Sequence, residues 1–153
     1  MNIMFICTGN ICRSAMAHWM LIKKIQEKNI KDINVYSCGI YAQTGDGPTY
    51  EAISVMEEYD IDLKKHRATN IRNSNIKEMD LILCATNSHK IAVLDLYPDL
   101  KEKVFTLKEY VDYNKEGHKK VDLDDPWGYG ENTYRHCASE IDECLDLLLN
   151  KLV

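Results

Sequence analysis

Long hydrophobic runs are missing from this chain, and so is any excess of positive charge. No apolar stretch approaches the roughly 18 residues that a bilayer-spanning helix needs. The N-terminus also lacks the basic segment, apolar segment and cleavage site of a secretory leader, so the sequence reads as cytoplasmic, with no membrane partner. Nineteen lysines and arginines stand against 24 aspartates and glutamates, a formal charge of −5 spread along the chain. That balance argues against nucleic acid as a partner. Proline occurs only at Pro48, Pro98 and Pro126, and there is no repeat, low-complexity segment or linker. Disorder is not expected, and residues 1–153 read as one domain, able to bury roughly two-thirds of its unfolded surface. A core of that size needs no disulfide staples, so the six cysteines are read as reduced thiols. Four of them, Cys38, Cys84, Cys137 and Cys144, lie in apolar or helical patterns as small hydrophobes. His118, His136 and Cys137 do not have the spacing of a zinc site, and neither metal nor cofactor is expected.

What is present alternates. Ile3, Met4, Phe5 and Ile6 form a short apolar run, the mark of a strand covered on both faces. Ala15, Met16, Trp19, Met20, Ile22 and Ile25 then recur at helical spacing. INVYSCG (33–39) predicts a second strand, and a helix is expected from about Thr49 to Tyr59. MDLILCAT (79–86) is the clearest buried strand, followed by a helix over 87–97 capped by Asn87 or Ser88. KVFTL (103–107) gives a fourth strand, and a long helix closes the chain from Glu131 to Leu152. Strands alternating with helices indicate a doubly wound α/β sheet, because parallel strands need crossovers of about a dozen residues.

Sites in such sheets lie at the carboxyl ends of strands. There the first strand delivers CTGNICRS, residues 7–14. A helix N-terminus offers unpaired N–H groups and about half a positive charge, so Thr8, Gly9, Asn10, Ile11, Cys12 and Arg13 could wrap donors around a phosphate-sized anion. Gly9 is expected to supply the conformational freedom for that curl. A thiol held near a helix N-terminus and a guanidinium ionises more readily than an ordinary one. Arg13 carries a planar fork of donors suited to two phosphoryl oxygens, and Ser14 can donate a hydroxyl hydrogen bond to Cys7. Cysteine, five residues, then Arg-Ser thus places a nucleophile and an oxyanion clamp around one phosphate. The plainer alternative is a buried cysteine beside a helix-capping arginine.

Phosphoryl transfer from a monoester also needs an acid for the leaving oxygen. DLDDPWGYG offers Asp122, Asp124 and Asp125. Asp125 precedes Pro126, which restricts its backbone to extended conformations and so fixes the direction of its side chain. A solvated acidic turn is the competing reading.

At these residues the chain closely resembles the low-molecular-weight protein tyrosine phosphatases: CTGNICRS near the start, Asp125-Pro126 near the end, and the same order of elements between. The resemblance implies a four-stranded parallel sheet flanked by helices and catalysis without metal. It implies Cys7 as nucleophile forming a phosphocysteine, Arg13 as phosphoryl ligand, and Asp125 as general acid and then base. Asn10, Ser14, Ser37 and His66 match positions that hold the phosphate loop in shape, and Cys12 matches a cysteine that can form a reversible disulfide with Cys7 under oxidation. The implied partner is a phosphorylated protein or peptide, with inorganic phosphate as product and a monomer or weak homodimer as the working form. Tyr41, Trp127 and Tyr129, with Ile11, are the expected walls of an aromatic slot.

Two departures matter for specificity. The acid stretch reads DPWGYG rather than the familiar Asp-Pro-Tyr-Tyr-Gly, and FTLKEYV (105–111) looks like bacterial members that remove phosphate from arginine. In those proteins the position of Ile11 is usually threonine, whose hydroxyl would orient attack on a phosphoguanidine. Ile11 offers only apolar wall, which favours phosphotyrosine, with phosphoarginine the alternative. Arsenate reductases share the fold and first loop, but their relay needs a cysteine seven residues beyond Cys84, where Ile91 stands. A non-catalytic phosphate-binding or redox module built on Cys7 and Cys12 would have no use for Asp125.

Overall fold

Because the run Ile3–Met4–Phe5–Ile6 has no polar side, its strand is stable only when sheltered on both faces. The computed structural model, which describes residues 1–115 and 117–153, provides that shelter. A parallel sheet contains β1 (Asn2–Cys7), β2 (Asn34–Gly39), β3 (Leu81–Cys84) and β4 (Val104–Thr106), in the spatial order β2-β1-β3-β4. The register pairs Cys7 with Gly39 and Ile6 with Cys84, so the carboxyl ends of the central strands finish level. Around it run α1 (Arg13–Glu27), α2 (Tyr50–Glu57), α3 (Asn87–Leu96), α4 (Leu107–Tyr110) and α5 (Glu131–Leu152).

The pleat divides the core in two. Ile3, Phe5 and Cys7 face the cluster built with α1, α2 and α5, while Met4 and Ile6 face Val93, Ile71 and Met79 on the other side. β3 divides the same way, Leu81 and Leu83 against Ile82 and Cys84. Each such aliphatic side chain, fully removed from water, contributes about 1.5–3 kcal/mol. α5 closes the first layer with Tyr134, Ala138, Ile141, Leu145, Leu148 and Leu149, all buried at three- or four-residue spacing. Among the described residues no helix is long and apolar enough to cross a membrane.

The chain steps from β1 outward to β2 and then back past β1 to β3. The connections after β1 and β3 therefore leave in opposite directions, and a crevice opens between them at the carboxyl ends.

Some local expectations change. Thr86, not Asn87 or Ser88, caps α3: its backbone is extended and its hydroxyl accepts from the His89 N–H at 3.2 Å, whereas the next two residues are already helical. The fourth strand stops at Thr106 because a capping box begins there. Thr106 Oγ1 accepts from Glu109 N–H at 3.0 Å, and Glu109 Oε2 accepts from Thr106 N–H at 2.7 Å. The polar loop after α4 contains a short antiparallel pair, β5 (Asn114–Lys115) with β6 (His118–Lys119), which no apolar alternation in the sequence marks.

Candidate active site

Residues 8–12 join β1 to α1, and the turn depends on Asn10 rather than Gly9. Asn10 takes the left-handed conformation at φ 57°, while Gly9 is not in that region and a Cβ there would meet only the Ile11 side chain, at 3.4 Å. The expectation for Gly9 is thus corrected. Asparagine tolerates this backbone because its side chain can bond locally, and here it does. Asn10 is fully buried; its Nδ2 donates to Ser14 Oγ (2.8 Å) and its Oδ1 accepts from Thr69 N–H (3.0 Å). Its carbonyl lies 2.9 Å from His66 Nε2, and Trp19 Nε1–H donates to His66 Nδ1 at 2.9 Å. The indole contact makes Nδ1 an acceptor, so Nε2 carries the proton and donates to the loop. Burial pushes His66 below its ordinary range, in keeping with that neutral ring.

The loop packs tightly against the end of β2. A Cβ on Gly39 would lie 2.6 Å from the Thr8 carbonyl oxygen and 2.9 Å from the Asn10 nitrogen, so only glycine allows this approach.

The carboxyl end of β1 brings Cys7 to the floor of a cavity of about 200 Å³. Thr8, Gly9, Ile11 and Cys12 form its rim, with Arg13 and Asp125 opposite and Trp127 at the side. Cys7 Sγ is 2.9 Å from Ser14 Oγ. Because that hydroxyl already accepts from Asn10 Nδ2, its own proton is free to point at the sulfur. No side chain caps α1, and Gly9, Asn10, Ile11 and Cys12 donate no backbone hydrogen bond among the described residues. These donors remain for a ligand.

Arg13 is buried. Nη1 donates to the Leu123 carbonyl at 3.2 Å, Nη2 lies 3.6 Å from Asp125 Oδ2, and Nε has no partner among the described residues. A buried guanidinium with one unmatched N–H is poised for an oxyanion.

The acid-bearing segment is held from behind. Asp122 Oδ1 accepts from Asn87 N–H (2.7 Å), Leu123 N–H donates to the Ala85 carbonyl (2.9 Å), and Cys137 Sγ donates to the Asp124 carbonyl (3.8 Å). Beyond these anchors Asp125 is 57 % exposed, its Oδ1 accepting from Trp127 N–H at 3.1 Å.

A thiol, an arginine fork and a carboxyl group around an anion-sized cavity match one family of known proteins. A sequence profile for low molecular weight phosphotyrosine protein phosphatases covers residues 2–153. The chain belongs to that family. The Bacillus subtilis (strain 168) protein-arginine-phosphatase is 35% identical over 152 residues, covering 99% of this chain and 97% of its own. The crystal structure of a low molecular weight protein tyrosine phosphatase from T. tengcongensis superposes with a TM-score of 0.90 at 36% identity, covering 99% of both chains. The YwlE arginine phosphatase, solved as a cysteine-to-serine mutant with a phosphorylated active-site serine, gives a TM-score of 0.90 at 32% identity, covering 99% of this chain and 95% of its own. Membership makes this chain a cysteine-dependent phosphatase.

In this phosphatase the residues singled out from the sequence mostly line the cavity or, as Asn10, Ser14 and His66 do, hold its loop from behind, but Tyr41, Tyr129 and Ser37 do neither. Tyr41 and Tyr129 are 81% and 65% exposed and do not line it; of the expected aromatic walls only Trp127 does. Ser37 does not touch the phosphate loop. Its hydroxyl is 2.6 Å from His18 Nδ1, a ring that stands edge-on to His66 with centroids 6.0 Å apart, so any support it gives is indirect. Cys12 and Cys7 are both free thiols in this structure, and Cys12 is pushed up to about 12, by burial first and the neighbouring Cys7 second. Cys84 lies fully buried in β3, and Ile91 is exposed on α3. The sequence reading passed over Trp19, Thr69, Leu123 and His89. His89 lies within hydrogen-bond distance of Thr8, at 2.8 Å, and only T-x-x-H at 86–89, opening a helix after a buried strand, could have drawn attention to it.

Proposed function

We propose that this phosphatase hydrolyses phosphotyrosine in proteins or peptides through a phosphocysteine intermediate, releasing inorganic phosphate. The observation that carries the reading is the single cavity floored by Cys7 and walled by Arg13 and Asp125. Cys7 Sγ attacks phosphorus while the bond to the tyrosyl oxygen breaks, and Asp125 passes its proton to that oxygen. Water then attacks phosphorus, Asp125 takes a proton from it, and the S–P bond breaks to return the thiolate. Arg13 and the free loop N–H groups hold the three non-bridging oxygens throughout, where charge builds up.

Ile11 supports an aryl substrate because it gives the rim an apolar wall with no hydrogen-bonding group. A second reading, hydrolysis of phosphoarginine, draws support from the arginine phosphatases of known sequence and structure. The deciding experiment compares kcat/KM on phosphotyrosine and phosphoarginine peptides for the wild type and Ile11→Thr. A ratio favouring phosphotyrosine that falls in the variant is expected; a wild type preferring phosphoarginine makes the second reading the correct one. Cys7→Ser should lower turnover by about 10⁴-fold or more while still binding phosphate. Turnover near wild type would rule out the phosphocysteine.

A further inference from the structure

Two chemical groups meet at the crevice that the phosphocysteine scheme leaves unused: the hydroxyl of Thr8 and the ring of His89. Thr8 is exposed at the cavity rim, and its carbonyl is fixed by Tyr41 N–H at 2.9 Å. Thr8 Oγ1 lies 2.8 Å from His89 Nε2, and His89 Nδ1 lies 2.8 Å from Thr86 Oγ1. The ring itself is buried.

The roles within this chain can be worked out from its far end. Thr86 Oγ1 already accepts from His89 N–H at 3.2 Å, and its own proton has one acceptor within hydrogen-bond distance among the described residues, His89 Nδ1. The tautomer that gives both hydroxyls and both ring nitrogens a matched partner has Nδ1 accepting from Thr86 and Nε2 carrying the ring proton. That proton goes to Thr8 Oγ1. With one lone pair engaged from behind, the Thr8 hydroxyl is free to turn its own hydrogen into the cavity that Thr8 lines.

The ring is held neutral, as this scheme needs. Burial, and after it the Arg13 charge, lower His89 to about 4, against smaller upward pulls from Asp125 and Asp122.

We propose that the Thr8 hydroxyl, oriented by His89, is a further donor to a non-bridging oxygen of the bound phosphoryl group. Thr8 touches the ligand and His89 is a positioning residue acting through it. This assignment rests on the phosphatase reading of the cavity, and it extends the anion cradle from backbone N–H groups and Arg13 to a side chain on β3's side of the crevice.

The test measures competitive inhibition by inorganic phosphate, alongside kcat/KM on an aryl phosphate and melting temperature, for the wild type, Thr8→Val, Thr8→Ser, His89→Ala, His89→Gln and the double variant Thr8→Val/His89→Ala. Thr8→Val, nearly the same shape, should raise the phosphate inhibition constant about tenfold with little change in melting temperature, while Thr8→Ser stays near wild type. His89→Ala should give a similar loss, His89→Gln should recover most of it because an amide N–H can replace Nε2–H, and the double variant should be no worse than either single one. Unchanged phosphate inhibition in Thr8→Val would overturn the assignment. Additive losses in the double variant would overturn the coupling and leave His89 a role in packing alone. A wild type that neither binds phosphate nor cleaves the ester would instead sink the phosphatase reading beneath it.

Discussion

At Asp125 a carboxyl group that is 57% exposed faces, across 3.6 Å, a guanidinium that is only 4% exposed. The exposed carboxyl group can turn toward a leaving oxygen, while the buried guanidinium is held in place. Asp125→Ala should therefore slow alkyl or unactivated aryl esters about 100-fold or more, and nitrophenyl phosphate far less, since a good leaving group hardly needs a proton. Equal losses on both, read from kcat, would assign Asp125 a structural role. The histidines behind the loop predict a pH effect. Burial, with His66 next, lowers His18 to about 3, and burial lowers His66 as well. A histidine depressed in the folded state binds its proton more readily when unfolded, so its stabilising contribution is complete above the unfolded value of about 6.5 and is lost as pH falls below it. Each such ring steepens the loss by up to about 1.4 kcal/mol per pH unit. Urea midpoints measured from pH 7 to 4.5 should fall, and His18→Asn should flatten the curve; an unchanged slope would mean that His18 takes its proton freely in the fold.

The phosphate loop lies against the end of β2 more closely than a side chain at position 39 would allow. Adding a methyl group at Gly39 puts carbon against two backbone atoms of the phosphate loop, neither of which can rotate away. Gly39→Ala is expected to cost about 1–3 kcal/mol of stability and to reduce kcat/KM at least tenfold. Thermal melting and kinetics together check this, and wild-type values for both would show that the loop can retreat. This contact also marks the limit of what could be read from the sequence. β1 and β3 were legible because burial on both faces leaves the runs IMFI and LILC with no polar alternation, and CTGNICRS was legible because its residues are contiguous. Trp19, Thr69, Gly39 and His89 come from four different segments, and their meeting at the loop is decided by the strand order β2-β1-β3-β4, which no local pattern encodes. The aromatic wall was over-read for a related reason: Tyr41 and Tyr129 are near the loop in sequence order of elements, but their side chains extend into solvent.

Over the whole molecule, the binding of a small anion should be felt as global stability, because the loop ties together β1, β2, α1 and, through Leu123, the acid segment. Phosphate at about 100 times its dissociation constant adds about 2.7 kcal/mol. For a chain of this size that is a rise of about 5–10 °C in Tm. Scanning calorimetry should find it in the wild type and in Cys7→Ser but not in Arg13→Ala; an equal rise in all three would place the phosphate elsewhere. The burial of the cysteines has a practical consequence as well. Cys12, Cys38, Cys137 and Cys144 are all raised to about 12, and Cys84 is raised further still, each chiefly by burial. Alkylating reagents attack the ionised sulfur. Of the six cysteines, only Cys7 and Cys12 line the active-site cavity, and Cys12 is among those held as thiols. The native chain should thus take up one equivalent of iodoacetamide and the denatured chain six, giving a protein that carries its own unique attachment point for a fluorophore, an isotope label or a surface tether.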